Sequence, residues 1–336
     1  MNNLVDGTRI SKLRCVVQKS TDPLFFSLVD YRNNLFTSDD PDKIIEFYRG
    51  FDDRKQLIKW MRERPKGAHT IYEVNGDKDI IVVITTADYN GKFAKECRQV
   101  SFKGLHIIFV ESGGKGDFYF NYSHNCNFGI RKGMEYQPKW IVVSNDDMFK
   151  IDDTSVLLEA LRGKDENRLK SVFTHPSQYH SSPVCNGKQR AIMGNVGKFL
   201  YLFLTRKYNT SIYFATKKIA KRFDAKWFFA PKRNLYRRIF YLETRCYVMT
   251  GDFSIFSGKW ARDLNGEIFN ETYLNGVEDW ELSLQICGDS QNYDFIDYKI
   301  GDLVGGTIGD YIESRQLRDI ANMIYFDSRI NEKFSR

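Results

Sequence analysis

The stretch Trp140-Ile-Val-Val-Ser-Asn145-Asp146-Asp147-Met148 joins a β-branched run to a polar cluster that a buried strand cannot use. Two carboxylates on neighbouring residues repel by roughly 4 kcal/mol at about 4 Å and an effective dielectric near 20, so the pair favours a nearby cation. Alternation along an extended chain would put Asn145 and Asp147 on one side and Asp146 on the other. The competing reading is a solvated turn, since Asn and Asp are common turn residues. Other polar residues stand in comparable places: Thr86 and Asp88 after one apolar run, Glu111 after another, and Asn127 ahead of a helix-like segment. A second acidic cluster, Gly276-Val-Glu278-Asp279-Trp-Glu-Leu282, offers a carboxylate able to accept a proton; it also reads as an acidic helix start. His175 and His180 flank a proline at a separation unlike metal-ligand spacing and read as loop residues. Gly113-Gly114-Lys115-Gly116 is a weak phosphate-loop candidate and reads better as a turn.

The elements that must position these residues alternate. Asp79–Ile84, Leu105–Val110 and Ile141–Val143 are short apolar runs expected to be buried strands, with helices expected over Lys92–Val100 and Ile130–Tyr136. Strands alternating with helices imply an α/β fold, a mostly parallel central sheet flanked by helices on both faces. Ligands bind such sheets at the carboxyl ends of the strands, where Thr86, Asp88, Glu111, Asn127 and Asn145–Asp147 would collect. Residues 1–78 read as an N-terminal helical extension that covers a sheet edge or docks a partner. Asp40-Pro41 starts one helix, and a second runs from Asp52 to Arg64 before Pro65. Val172–Ser181 and Tyr247–Phe256 suggest further strands, and Tyr311–Tyr325 a closing helix. Trp280, Leu282, Leu284 and Ile286 alternate with polar residues, a strand pattern.

A chain of 336 residues with 42% hydrophobic and 28% charged content suits a soluble protein with one large or two modest domains. The six cysteines lie far apart with no C-x-x-C pair, which argues against a zinc site or disulfide framework and for reduced thiols in the cytoplasm. There is no signal-like apolar core at the start and no run of membrane-spanning length, so neither secretion nor a membrane span is expected.

Taken together, strand-then-Thr-Ala-Asp88-Tyr-Asn, strand-then-Val-Glu111-Ser-Gly-Gly, Asn127-Phe-Gly129 and strand-then-Asn-Asp-Asp147 resemble the nucleotide-binding half of family-2 glycosyltransferases, enzymes with the α/β fold called GT-A. Gly276-x-Glu278-Asp279-x-Glu-Leu is similar to the acceptor-side motif of the same family. The resemblance covers about residues 79–195 and 245–310. It implies a metal-dependent inverting glycosyltransferase that moves a sugar from a nucleotide-diphosphate donor to an acceptor hydroxyl on a glycan, a lipid-linked saccharide or a protein. Asp147, with Asn145, would hold manganese or magnesium; Thr86, Asp88, Glu111, Asn127 and Asp146 would line the nucleotide-sugar site. Asp279 would be the catalytic base, with Glu278 beside it. Asn145 departs from the family's aspartate, Glu111 stands where aspartate is more usual, and Asp302-Leu-Val replaces the histidine many relatives carry before Gly305-Gly306. The resemblance also implies a helix over Glu278–Leu282, against the strand pattern above.

Between Lys198 and Arg238 lie twelve Lys and Arg against the single acid Asp224, interleaved with aromatic residues. That excess is larger than the whole chain's +7, so the remainder of the protein is net acidic. Basic-aromatic stretches suit an anionic membrane surface, at about 1 kcal/mol for each Lys or Arg near the headgroups; the competing reading is a helix pair with a core-facing aromatic side and a solvated basic side, and nucleic acid is the least favoured partner. The chain thus divides into an extension (1–78), a nucleotide-sugar-binding half (79–195), a basic aromatic insert (196–244) and an acceptor-side half with a C-terminal helix (245–336). The expected location is cytoplasmic, peripheral at the membrane. The rival readings are a non-enzymatic α/β module that binds RNA or a membrane through the insert, and a nucleotidyltransferase.

Overall fold

The structure, a computed structural model, describes residues 40–113, 119–174, 179–183, 215, 218–224, 245–249, 251–303 and 312–334. The first 39 residues, His175, the Gly114-Lys115-Gly116 segment, most of the basic insert and Gly305–Thr307 lie outside them.

Seven strands form the central sheet: β1 (His69–Val74), β2 (Asp77–Thr86), β3 (Leu105–Ser112), β4 (Trp140–Asn145), β6 (Ser171–Thr174), β9 (Phe253–Ser257) and β10 (Tyr293–Ile296), in the order β1-β3-β2-β4-β9-β6-β10. β2 runs parallel to β3 and β4, and β6 parallel to β10; β1 and β9 are antiparallel to their neighbours. The sheet is therefore mixed, with a parallel centre. Two short ribbons accompany it: β5 (Met148–Lys150) with β11 (Ile300–Asp302), and β7 (Tyr179–Pro183) with β8 (Arg245–Met249).

The central strands are apolar on both faces because both are covered. Ile80, Val82 and Ile84 of β2 point to one side, where they meet α3 (Lys92–Glu96), the π-helical turn Cys97–Ser101 and α5 (Thr154–Arg162). Ile81 and Val83 point to the other, against α4 (Tyr122–Met134), α6 (Gly258–Asp263) and α7 (Glu278–Cys287). α4 lies so close that a Cβ on Gly129 would sit 2.3 Å from Val83 Cγ1 and 2.9 Å from Val110 Cγ2. A third apolar core joins α1 (Pro41–Arg49), α2 (Arg54–Glu63) and α8 (Ile312–Phe334), with Ile219 and Phe223 of the basic insert buried in it.

Several elements differ from expectation. α4 begins at Tyr122 rather than near Ile130, because Asn121 caps it by accepting from His124 N at 2.8 Å. The extension's helices form as expected, capped by Asp40 and Asp53, yet they pack on α8 rather than on the sheet edge. β1, within the stretch expected to be helical, covers that edge instead; its half-buried pattern is the mark of an edge strand. α7 is a helix despite its alternation. Leu282 and Ile286 pack on the sheet while Trp280 and Leu284 pack on the helical core. Each pair is spaced i, i+4, so two opposite apolar stripes on one helix mimic a period of two.

Candidate functional site

Because β2, β3 and β4 are parallel, Thr86, Glu111 and Asn145 end at the same edge of the sheet. β9 runs the other way, so its start reaches that edge as well: Phe253 pairs with Ser144, and Asn145 N donates to Asp252 O at 2.9 Å. The β5–β11 ribbon reaches the same edge. Asp302 is in register with Met148, and Leu303 N donates to Asp147 O at 3.1 Å. Asp146, Asp147, Asp252 and Asp302 thus gather around the exit of β4.

The strand alternation expected for Asn145–Asp147 ends at Asn145. Asp146 and Asp147 form the turn between β4 and β5, and both are nearly buried. Asp146 Oδ2 accepts from Thr86 Oγ1 at 2.6 Å, and Cys97 Sγ contacts Asp146 O at 3.1 Å. Asp147 is held up at about 6 by burial, with the charges of Asp146, Asp252 and Asp302 adding to the shift. Among the described residues, no three His, Cys, Asp or Glu side chains converge closely enough to hold a metal ion. Asp88 is exposed and accepts from Asn90 N at 2.9 Å.

Glu111 sits in an aromatic nook. One carboxylate oxygen accepts from Tyr89 N at 2.7 Å and the other from Tyr72 OH at 3.4 Å. The rings of Tyr72 and Tyr89 stack at 4.1 Å with planes 4° apart, and the Arg98 guanidinium lies 4.5 Å from the Tyr89 ring centre.

Asn127 stands apart from this group. It is fully buried within α4, its Oδ1 accepting from Phe269 N and its Nδ2 donating to Phe269 O and Glu271 Oε1. Its amide holds the loop after α6 against the helix. Asn121 and Asn275 extend the same stitching: Asn121 Nδ2 donates to Glu271 O and Tyr273 O, and Asn275 Oδ1 accepts from Tyr122 N. This loop leads straight into Glu278 and Asp279, so the stitching fixes where α7 begins.

Val277 takes a left-handed conformation (φ 73°) and turns the chain into α7. Glu278 is buried at 6% exposure, and its Oε2 has no hydrogen-bond partner among the described residues. Burial, then the nearby Asp279 and Asp319, push its carboxyl well above the usual range. Asp279 is half-buried at the helix start, and its Oδ1 accepts from Trp280 N at 3.0 Å. Glu281 is structural, pairing with Arg329 of α8 at 2.9 Å.

Tyr122 links the two acidic groups. Its hydroxyl donates to Gly251 O at 2.5 Å, beside Asp252. The phenol is raised far above its ordinary range by burial and then by Cys126, Glu278 and Asp252. The Asp252 charge adds to the shifts of both Asp147 and Tyr122, and that of Glu278 adds to the shift of Tyr122. Sequence reasoning found neither Asp252 nor Asp302 nor Tyr122 as site residues. Asp252 follows a glycine just before a strand, a faint signal; nothing in the sequence announces the ribbon that brings Asp302. No family model matches the chain, and no curated protein matches it. No helix among the described residues is long and apolar enough to cross a membrane.

Proposed function

We propose that the protein is a metal-dependent inverting glycosyltransferase of the GT-A type, using a nucleotide-diphosphate sugar. The observation that supports this reading is that Asp252 lies near both Asp147 and Tyr122, and that Tyr122, whose hydroxyl donates to Gly251 O, also feels Glu278, so two acidic clusters distant in the sequence share neighbours. The donor set is all hard oxygen, which suits magnesium or manganese. A desolvated Asp147 among three further carboxylates is a group that a divalent ion relieves. The ion role rests on Asp147 with Asn145 rather than on a preformed cage. When bound, the ion neutralises charge on the departing diphosphate.

The remaining steps belong to the chain's own residues. Asp279 takes the proton of the acceptor hydroxyl as that oxygen bonds to the anomeric carbon. The bond from that carbon to the diphosphate breaks on the opposite side, its electron pair leaving with the phosphate, so configuration inverts. Thr86 fixes Asp146, and Glu111 with Tyr89 faces the nucleoside. The acceptor is a glycan, a protein or a lipid-linked saccharide, the last favoured by the basic aromatic stretch as a contact with an anionic membrane surface.

Calorimetry with nucleotide diphosphates and their sugars, with and without manganese, tests the donor half. Asp147→Ala abolishes the manganese-dependent part of binding. Asp279→Asn keeps donor binding and lowers transfer by about 10²–10⁴-fold. Unchanged transfer in Asp279→Asn would remove the base, and unchanged manganese dependence in Asp147→Ala would remove the ion site.

A further inference from the structure

The tyrosine pair over Glu111 has the contacts of a filled site. Tyr72, on edge strand β1, lays its ring flat on Tyr89 at 4.1 Å and directs its hydroxyl to Glu111 Oε1. A flat ring stacked on an aromatic side chain, with a donor on its edge facing a carboxylate, is how a nucleobase is held. Neither face of Tyr89 is open, because the Arg98 guanidinium lies over the ring and cannot share the face that Tyr72 occupies.

From this we infer that Tyr72 is a built-in competitor for the nucleobase, a side chain that occupies the base position and must swing out before a nucleoside diphosphate binds. The inference rests on the reading of Glu111 as a nucleoside contact and adds to it the residue that sets nucleotide affinity. Of the two groups flanking Tyr89, Tyr72 is the one that yields. Arg98 is tied to Tyr89 O through Nη1 at 2.7 Å, whereas Tyr72 holds Glu111 by one long bond of 3.4 Å and is partly exposed. Tyr89 N keeps the other Glu111 oxygen at 2.7 Å, so departure of Tyr72 frees one acceptor and one aromatic face together. A base with an N–H on its edge replaces both lost contacts, and the nook is not left empty.

The test is calorimetric titration of uridine and guanosine diphosphates, with manganese, into the full chain and two variants. Removing the ring in Tyr72→Ala tightens binding by about 2- to 10-fold, the range that an aromatic pair supplies. Tyr72→Phe, which keeps the ring and loses only the bond to Glu111, tightens it less. Thermal unfolding of both variants, compared with the parent, establishes that the fold is retained. Weaker or unchanged binding in folded Tyr72→Ala, with clear binding to the parent, would overturn the competitor role and leave the nucleotide site standing. Binding of neither diphosphate to the parent or either variant would overturn the nucleotide reading itself, and the competitor with it.

Discussion

Glu278 is a carboxyl in the wrong place for a charge. It is nearly buried at the mouth of α7, with Asp279 and Asp319 close enough to oppose its ionisation. The unfolded chain releases its proton near the ordinary glutamate value of about 4.3, whereas the native protein keeps it to about 8. In that window the native state binds more protons than the unfolded one, so stability falls as pH rises through it and levels off above. Glu278→Gln, neutral throughout, should be more stable than the parent at pH 8–9 by about 1–3 kcal/mol, with the gain fading toward pH 4. Thermal unfolding across that range checks it; a constant difference at every pH would contradict the assignment. At this scale residue type alone drew attention to Asp147, Asp279 and Glu111, which the structure places at strand and helix ends. It was not legible for Tyr72 and Tyr122, whose importance comes from neighbours remote along the chain. Asn127 looked like a ligand contact because a polar residue before a helix-like run suggests a loop, yet the helix starts five residues earlier and encloses it.

Helix α4 illustrates how one element sets the site. Its amino end carries Tyr122, and its middle lies close on β2 and β3 through Gly129. A methyl at Gly129 meets the β-branched Val83, whose side chain has little rotamer freedom to retreat. Gly129→Ala should therefore cost about 1–3 kcal/mol by overpacking. Gly163→Ala, where nothing lies within 4 Å of the added carbon, should change stability by less than about 0.5 kcal/mol. Denaturant midpoints of the two variants give the comparison. Strand positions were readable from apolar runs alone because the central strands are covered on both faces. Helix boundaries were less so: the cap at Asn121 and the two-sided burial of α7 depend on tertiary partners. The alternation in α7 read as a strand because a helix serving two cores carries apolar residues on opposite sides.

Over the whole molecule, the sheet and the helical core are joined through α7 and α8. Arg54 of α2 reaches Asp327 of α8 at 2.8 Å and also donates to the backbone of Phe223 and Asp224, so extension, insert and last helix meet at one guanidinium. The Asp327 side chain has no exposed surface. Arg54→Met should cost about 3 kcal/mol, since it takes a cationic partner from a buried carboxylate. Chemical denaturation measures this; a loss below about 0.5 kcal/mol would assign Asp327 a different main partner. The α/β frame was visible in the order of apolar runs, whereas this second core was not, because its halves lie at opposite ends of the sequence. Tyr48 OH donates to Leu317 O at 2.6 Å across 269 positions of chain. A core closed over such a span has its loop-closure entropy to overcome before any of its contacts repay it. During synthesis Phe47, Phe51 and Trp60 must therefore wait, uncovered, until α8 has left the ribosome.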